Sequence, residues 1–231
     1  MPVDFPVTGG FRVRASVIDI VLNGIKLNSA GIGFDSLNLS VNSGLSLDAM
    51  ASTRIAYVVK RGRAGTVFVS DMDGADIRRV SLDDSLNLSP CWSPDGRRIA
   101  FTSDRSGTPQ VYVMEADGTG LRRLTFEGKW NDQADWSPKG DRLVYASRRD
   151  GLFRICVVDA SGLGGERQIT RGPGSDEHPR WAPDGRHVVF SSTRGGAKGL
   201  YVLDVDSGVV RSLTIGGGNN SAPAWSPVPT R

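Results

Sequence analysis

Tryptophan sets the ruler of this chain. Trp92, Trp136, Trp181 and Trp225 are spaced 44, 45 and 44 residues apart. Each is followed by Ser or Ala and then Pro, as in Trp92-Ser93-Pro94-Asp95-Gly96, Trp136-Ser137-Pro138-Lys139-Gly140 and Trp181-Ala182-Pro183-Asp184-Gly185. The glycines supply the positive φ that a tight hairpin needs. Three further segments keep the same beat. The first is Ile55-Ala56-Tyr57-Val58, Ile99-Ala100-Phe101-Thr102, Leu143-Val144-Tyr145-Ala146 and Val188-Val189-Phe190-Ser191. The second is Val67-Phe68-Val69, Val111-Tyr112-Val113, Ile155-Cys156-Val157 and Leu200-Tyr201-Val202, and the third ends in Val80-Ser81, Leu124-Thr125, Ile169-Thr170 and Leu213-Thr214. All are short, β-branched or aromatic, and bounded by Gly, Asp or Ser, which is how strands read.

Four short antiparallel strands per unit of this length describe a propeller blade. One such sheet cannot cover both its faces alone, so blades must stack on one another. The sequence predicts an all-β chain, a β-propeller of four blades with four antiparallel strands each, over residues 52–231. The first repeat, 53–81, lacks an inner strand, and Ala222 to Pro227 is a spare one. Pairing of this C-terminal strand with residues 53–59 would close the first blade and remove two sheet edges. A competitor for that place is Asp35-Ser-Leu-Asn-Leu-Ser40, which recurs verbatim as Asp84 to Ser89. Residues 1–51 form an N-terminal segment with no assigned structure, beyond a strand or two across Phe11 to Leu22 and a short helix beginning at Leu45 to Met50.

Composition narrows the function by exclusion. A net charge of +3 with no block of like charges gives no track for a nucleic-acid backbone. No apolar run approaches the roughly 20 residues that span a bilayer, so no membrane insertion is expected. The first residues carry no basic n-region and read as no export signal, so the expectation is either a cytoplasmic protein or one whose leader was removed or never included. Cys91 and Cys156 fall at different positions of different repeats and read as free thiols. There is no Gly-x-Ser-x-Gly elbow, no Cys-x-x-Cys and no phosphate-cradling loop. His178 and His187 lie in one repeat and form no metal cluster. Asp before Gly, as at Asp73 and Asp184, caps turns. The expectation is a protein without catalytic residues, metal or cofactor.

Binding has better candidates. Chain order puts the starts of the inner strands and the loops between second and third strands on one face. An arginine recurs in those loops, Arg61, Arg105, Arg149 and Arg194, either bonding loop carbonyls or forming a positive ring for acidic groups of a partner. The residues three and four before each Trp should lie at the channel mouth on that face. They are Leu88 and Ser89, Asp132 and Gln133, Glu177 and His178, Ser221 and Ala222. They vary from blade to blade while the framework repeats, the pattern of a scaffold that holds a specific surface.

The repeat resembles the propeller of the TolB family, the periplasmic component of the Tol–Pal system. The residues that carry the likeness are Thr53-Arg54-Ile55-Ala56-Tyr57-Val58, Asp71-Met-Asp-Gly74, Glu115-Ala-Asp-Gly118, the Trp-Ser-Pro-Asp-Gly units, the Leu-Thr blade ends and Pro223-Ala224-Trp225-Ser226-Pro227. The resemblance covers residues 52–228. It implies a non-catalytic interaction module in the periplasm, with a protein or peptide partner such as a peptidoglycan-associated lipoprotein. The family's propeller has six blades where this repeat counts four, and its N-terminal α/β domain is not recognisable in residues 1–50. Similar repeats also serve peptidases, so the alternative is an accessory or gating propeller of a hydrolase whose catalytic domain lies elsewhere. A lactonase-like propeller enzyme finds a poor ligand set here.

Overall fold

The computed structural model describes residues 11–15, 18–22, 25–28, 31–34, 53–214 and 218–226. The chain divides into two compact units, one of Met1–Ile55 with Ser70–Asp76 and one of Ala56–Val69 with Ile77–Arg231. In the first, β1 (Phe11–Ala15) pairs antiparallel with β2 (Ile18–Leu22), and β3 (Ile25–Asn28) with β4 (Gly31–Phe34). The strands expected across Phe11 to Leu22 are there. The repeat at Asp35 to Ser40 and the helix start at Leu45 lie outside the described residues.

The second unit holds the repeats. The first sheet has three strands, β5 (Arg54–Arg61), β6 (Ala64–Asp71) and β7 (Arg78–Arg79). Three four-stranded sheets follow in strict chain order. They are β8 (Asn87–Trp92) to β11 (Arg122–Arg123), β12 (Asn131–Trp136) to β15 (Glu166–Gln168), and β16 (Asp176–Trp181) to β19 (Val210–Ser212). Between them run β9 (Arg98–Ser103), β10 (Gln110–Glu115), β13 (Arg142–Arg149), β14 (Leu152–Asp159), β17 (His187–Gly195) and β18 (Ala197–Asp204). The ladders of the three four-stranded sheets and that of β6 with β7 are antiparallel. The blade architecture read from the repeat is therefore the one the chain adopts.

Alternation along each strand explains why the sheets stack. On β13, Leu143 and Tyr145 pack against the second blade, while Val144 joins the core shared with the fourth. On β14, Cys156 and Val158 face back, and Ile155 and Val157 face forward. A strand of period 2 thus serves two cores at once, and both faces are dry. The larger residues face the preceding blade: Ile99 and Phe101, Leu143 and Tyr145, Val188 and Phe190, each at most about one part in a hundred exposed. Small ones such as Ala100 face the next, so consecutive sheets interdigitate.

Each Trp sits in the seam with the blade before it. Trp136 is 5% exposed and its Nε1 donates to the Cys91 carbonyl at 3.3 Å. The Arg98 guanidinium lies 4.7 Å from its ring centre and donates to Gly140 O at 3.2 Å. Arg142 treats Trp181 and Gly185 O in the same way, at 4.7 and 2.9 Å. These stacked cations cover one face of each ring, and both tryptophans are only 5% exposed.

The blade ends have their own clasp. The hydroxyls of Ser81, Thr125, Thr170 and Thr214 accept the backbone N–H of Val67, Val111, Ile155 and Leu200 at 2.9, 2.9, 2.9 and 3.0 Å. The fourth strand of each blade is only two or three residues long. A side-chain acceptor just beyond it continues the ladder where backbone pairing stops.

The segment expected to pair with residues 53–59 is in no strand ladder over its described residues, 222–226. It lies along the fourth blade. Asn220 N donates to Lys198 O at 2.8 Å, and Trp225 Nε1 donates to Arg180 O at 3.1 Å. This repeats the Trp136 contact two blades further on, so the tryptophan docks on the preceding blade. Trp225 is 38% exposed.

The two tryptophans should therefore separate in a stability measurement. Trp136→Ala is expected to cost about 3–5 kcal/mol and Trp225→Ala about 1 kcal/mol, by urea unfolding. Equal losses would mean that burial between blades is not what these residues contribute.

Candidate functional site

The inner strands β8, β12 and β16 share a distortion. Their registers slip between Leu88 and Cys91, Asp132 and Asp135, and Glu177 and Arg180. At each slip one residue is left-handed: Ser89 at φ 50°, Gln133 at 60° and His178 at 54°, with Ala222 at 53° in the fourth repeat. None is glycine, so each bears a conformational cost of order 1 kcal/mol or more. A bulge re-aims side chains, and the residues it re-aims are the ones expected at the mouth.

Two of them meet across a seam. Gln133 Oε1 accepts the His178 backbone N–H at 2.7 Å, and its Nε2 lies 3.4 Å from His178 Nε2. His178 Nδ1 lies 3.3 Å from Ser191 Oγ, whose own proton goes to the Glu177 carbonyl at 3.0 Å. The network assigns a neutral imidazole, with Nδ1–H donating to Ser191 and Nε2 accepting from the Gln133 amide. A second proton on Nε2 would face an NH₂ group. Burial holds the His178 pKa below its ordinary value, with Lys198 adding to the effect. Ser191 is fully buried and has its proton engaged, so this contact is no nucleophile–base pair.

The other mouth candidates separate. Asp132 Oδ1 accepts from Thr102 Oγ1 of the second blade at 2.8 Å and from Gln133 N at 2.7 Å. Glu177 Oε2 pairs with Lys198 Nζ at 2.6 Å. Ser89 and Ser221 are exposed. Beneath them Asp135 Oδ2 accepts Trp181 N at 2.8 Å, and burial raises its pKa.

Three of the four recurring arginines face inward. Arg105 pairs with Asp83 at 3.0 Å, bonds Asn87 Oδ1 at 3.1 Å and stacks on Phe101 and Tyr112. Arg149 pairs with Glu127 at 2.8 Å, and Arg194 with Asp176 at 2.9 Å. Their side chains are only 17–21% exposed. Their charges are committed within the fold, and removing the acid would leave a largely covered guanidinium unpaired. Arg61, on the first blade, is exposed. The Asp-Gly turns do cap backbone. Asp95 Oδ1 accepts Arg97 N, and Asp184 Oδ1 accepts Arg186 N and His187 N, which hold the Asp184 pKa at about 2.

One recurring position escaped the sequence reading. Five residues before each Trp stand Asn87, Asn131, Asp176 and Asn220, and the first three are fully buried. Asn87 Nδ2 donates to Gly65 O at 2.7 Å, and Asn131 Nδ2 to Gln110 Oε1 at 2.7 Å, both on the preceding blade. Gly65 must stay glycine, because a Cβ there would lie 2.3 Å from Asn87 O. The signal of this Asn/Asp position lies in its constant five-residue distance from each Trp. Among the described residues no group of three or more His, Cys, Asp or Glu could hold a metal, and no helix is long and apolar enough to cross a membrane.

Comparison with known proteins bears on the fold and the family. The family model described as TolB beta propeller domain matches residues 51–229. The Tol-Pal system protein TolB of Syntrophus aciditrophicus is 40% identical over 95 residues, 39% of this chain and 18% of that protein. The matched stretch thus spans less than a fifth of that relative. TolB from Acinetobacter baumannii superposes with a TM-score of 0.68 at 24% identity, over 92% of this chain and 58% of its own. Puromycin hydrolase superposes with a TM-score of 0.57 at 19% identity, over 97% of this chain and 39% of its own. At these identities the structures speak for the fold alone.

The lowered His178 pKa makes a prediction of sign. The unfolded chain takes up the proton first, near the ordinary value of 6.5, so stability falls as pH drops through about 6.5 and stops falling below the depressed folded value. His178→Gln should flatten that part of the profile, read as melting temperature between about pH 7.5 and 5. An unchanged slope in the variant would remove His178 as its source.

Proposed function

We propose that this chain, which belongs to the TolB β-propeller family, is a non-catalytic interaction module. It docks a protein or peptide on the face formed by Asp132, Gln133, Glu177 and His178. One observation carries the reading. These side chains differ between blades, yet a repeated bulge positions all of them, and cross-blade hydrogen bonds fix two. A framework that tolerates left-handed Gln and His at equivalent places supports a specific surface there. Kinship with TolB proteins suggests the periplasm as compartment and a peptidoglycan-associated lipoprotein as partner, in envelope integrity and protein transport. The inward pairing of Arg105, Arg149 and Arg194 leaves directed recognition to the carboxylates, the imidazole, Ser89, Ser221 and Arg61.

The fold of puromycin hydrolase keeps a second reading in play, a propeller that serves a hydrolase. The two readings differ in what the mouth touches: a folded partner in the first, a substrate passing to a separate catalytic domain in the second.

The test is binding of purified chain to a peptidoglycan-associated lipoprotein by biolayer interferometry. Glu177→Lys and His178→Ala, each verified as folded, should weaken it by about 5- to 100-fold, as for central contacts. Asp95→Ala and Asp184→Ala, on the opposite turns, should stay within about twofold. The reverse pattern would put the partner on the other face.

A further inference from the structure

The fifth tryptophan, Trp130, stands outside the repeat. Leu86, Ser175 and Asn219 occupy its place in the other units. It is half-buried, one residue before β12, and belongs to none of the three cores. With Lys129, Arg148, Arg149 and Asp150 it lines an open cleft of about 760 Å³.

Both walls of the cleft are stiff. Lys129 N donates to Arg148 O at 3.1 Å, and Arg148 N donates to Trp130 O at 2.7 Å. Asp150 at φ 51° and Gly151 at φ 82° form a two-residue hairpin turn between the paired Arg149 and Leu152. On the other wall, a Cβ on Gly128 would lie 2.5 Å from Ser147 Oγ, so that backbone is pressed against β13.

The third blade also departs from a local rule. In the second blade Asp104, at the place of Arg148, accepts Leu86 N at 2.9 Å. In the fourth, Thr193 accepts Ser175 N at 2.9 Å. The Arg148 side chain has no acceptor to offer, so this blade lacks a clasp its neighbours keep. Such a departure at an exposed position marks a place shaped by something other than folding. Among the described residues the Lys129 ammonium and the Arg148 guanidinium have no hydrogen-bond or ion-pair partner, and both residues are exposed. Arg149 is already paired with Glu127, which leaves two free cations against Asp150.

We propose that this cleft receives an acidic residue of a protein partner together with an adjoining apolar one. The carboxylate lies between Lys129 and Arg148, and the apolar side chain stacks on Trp130. This rests on the reading of the face as a partner surface and names the chemistry it selects. A nucleic acid fits less well. Two free cations are few for a phosphate backbone. A bidentate guanidinium beside an indole suits a carboxylate next to an aromatic or aliphatic group.

The probe is a fluorescein-labelled peptide of alternating Glu and Phe, titrated with the full chain and followed by anisotropy. Matched peptides carry Lys for Glu or Ser for Phe, and a labelled single-stranded oligonucleotide is the comparator. Binding of the Glu/Phe peptide with a Kd of the order of 0.1 mM is expected, with both matched peptides at least about fivefold weaker. Lys129→Glu with Arg148→Glu should weaken it about tenfold, and Trp130→Ala about fivefold, at unchanged melting temperature. Equal binding of the Lys/Phe peptide, tighter binding of the oligonucleotide, no binding of the Glu/Phe peptide, or indifference to the double variant would each overturn the proposal. Run against the lipoprotein, the same variants tell the two readings apart. Loss with Glu177→Lys but not with the cleft variants leaves the mouth standing and removes the cleft. Loss with the cleft variants alone does the opposite.

Discussion

Every sheet in the repeat region is apolar on both faces, and that is the constraint from which the rest of the structure follows. A lone four-stranded sheet of this composition would expose Tyr145 on one side and Val144 on the other. Stacked, the second and third blades each supply one half of two cores. Trp136 and Trp181 close those cores from the inner edge, and the Arg at the start of the second strand covers the ring. Hydrophobic area holds blades face to face. The polar contacts set the registration, because they tie particular atoms across a seam, as Trp136 Nε1 to Cys91 O and Arg98 to Gly140 O.

That division of labour frees the mouth. Asn87, Asn131 and Asp176 satisfy the buried polar groups at the strand starts. Arg105, Arg149 and Arg194 neutralise the carboxylates near them, and the Ser/Thr hydroxyls finish the outer strands. With these duties assigned to repeating positions, the residues three and four before each Trp can differ without loss of the fold. Two of them nevertheless couple blades. The Gln133–His178 bridge sits in the proposed recognition surface, so the protonation that loosens it would alter the surface at the same time.

Much of this was legible in the chain. Blade number, strand order and the tryptophan seams follow from period and alternation, since a residue type recurring every 44 or 45 positions reports an environment that recurs too. The mouth was found by the same reasoning in reverse, as the place where recurrence fails. What that reasoning could not separate was the two uses of a repeated arginine. An Arg that pairs within its blade and one that waits for a partner have the same spacing, and only the positions of Asp83, Glu127 and Asp176 in space distinguish them.

The amino-acid sequence by itself determined the class of fold, the blade repeat and the kinship, because these depend on local pattern: period 2 within strands, glycine at turns, one Trp per unit. Tertiary structure alone decided the left-handed bulges at Ser89, Gln133 and His178, the hydrogen bond between residues 45 apart that joins two blades, and the seat of Trp225 on the fourth blade. It also decided that Lys129, Trp130 and Arg148 share one cleft. The physical reason is the same in each case. Backbone strain and ion pairing are settled by neighbours that come from other strands, and their energies of about 1 kcal/mol leave no periodic trace in the chain.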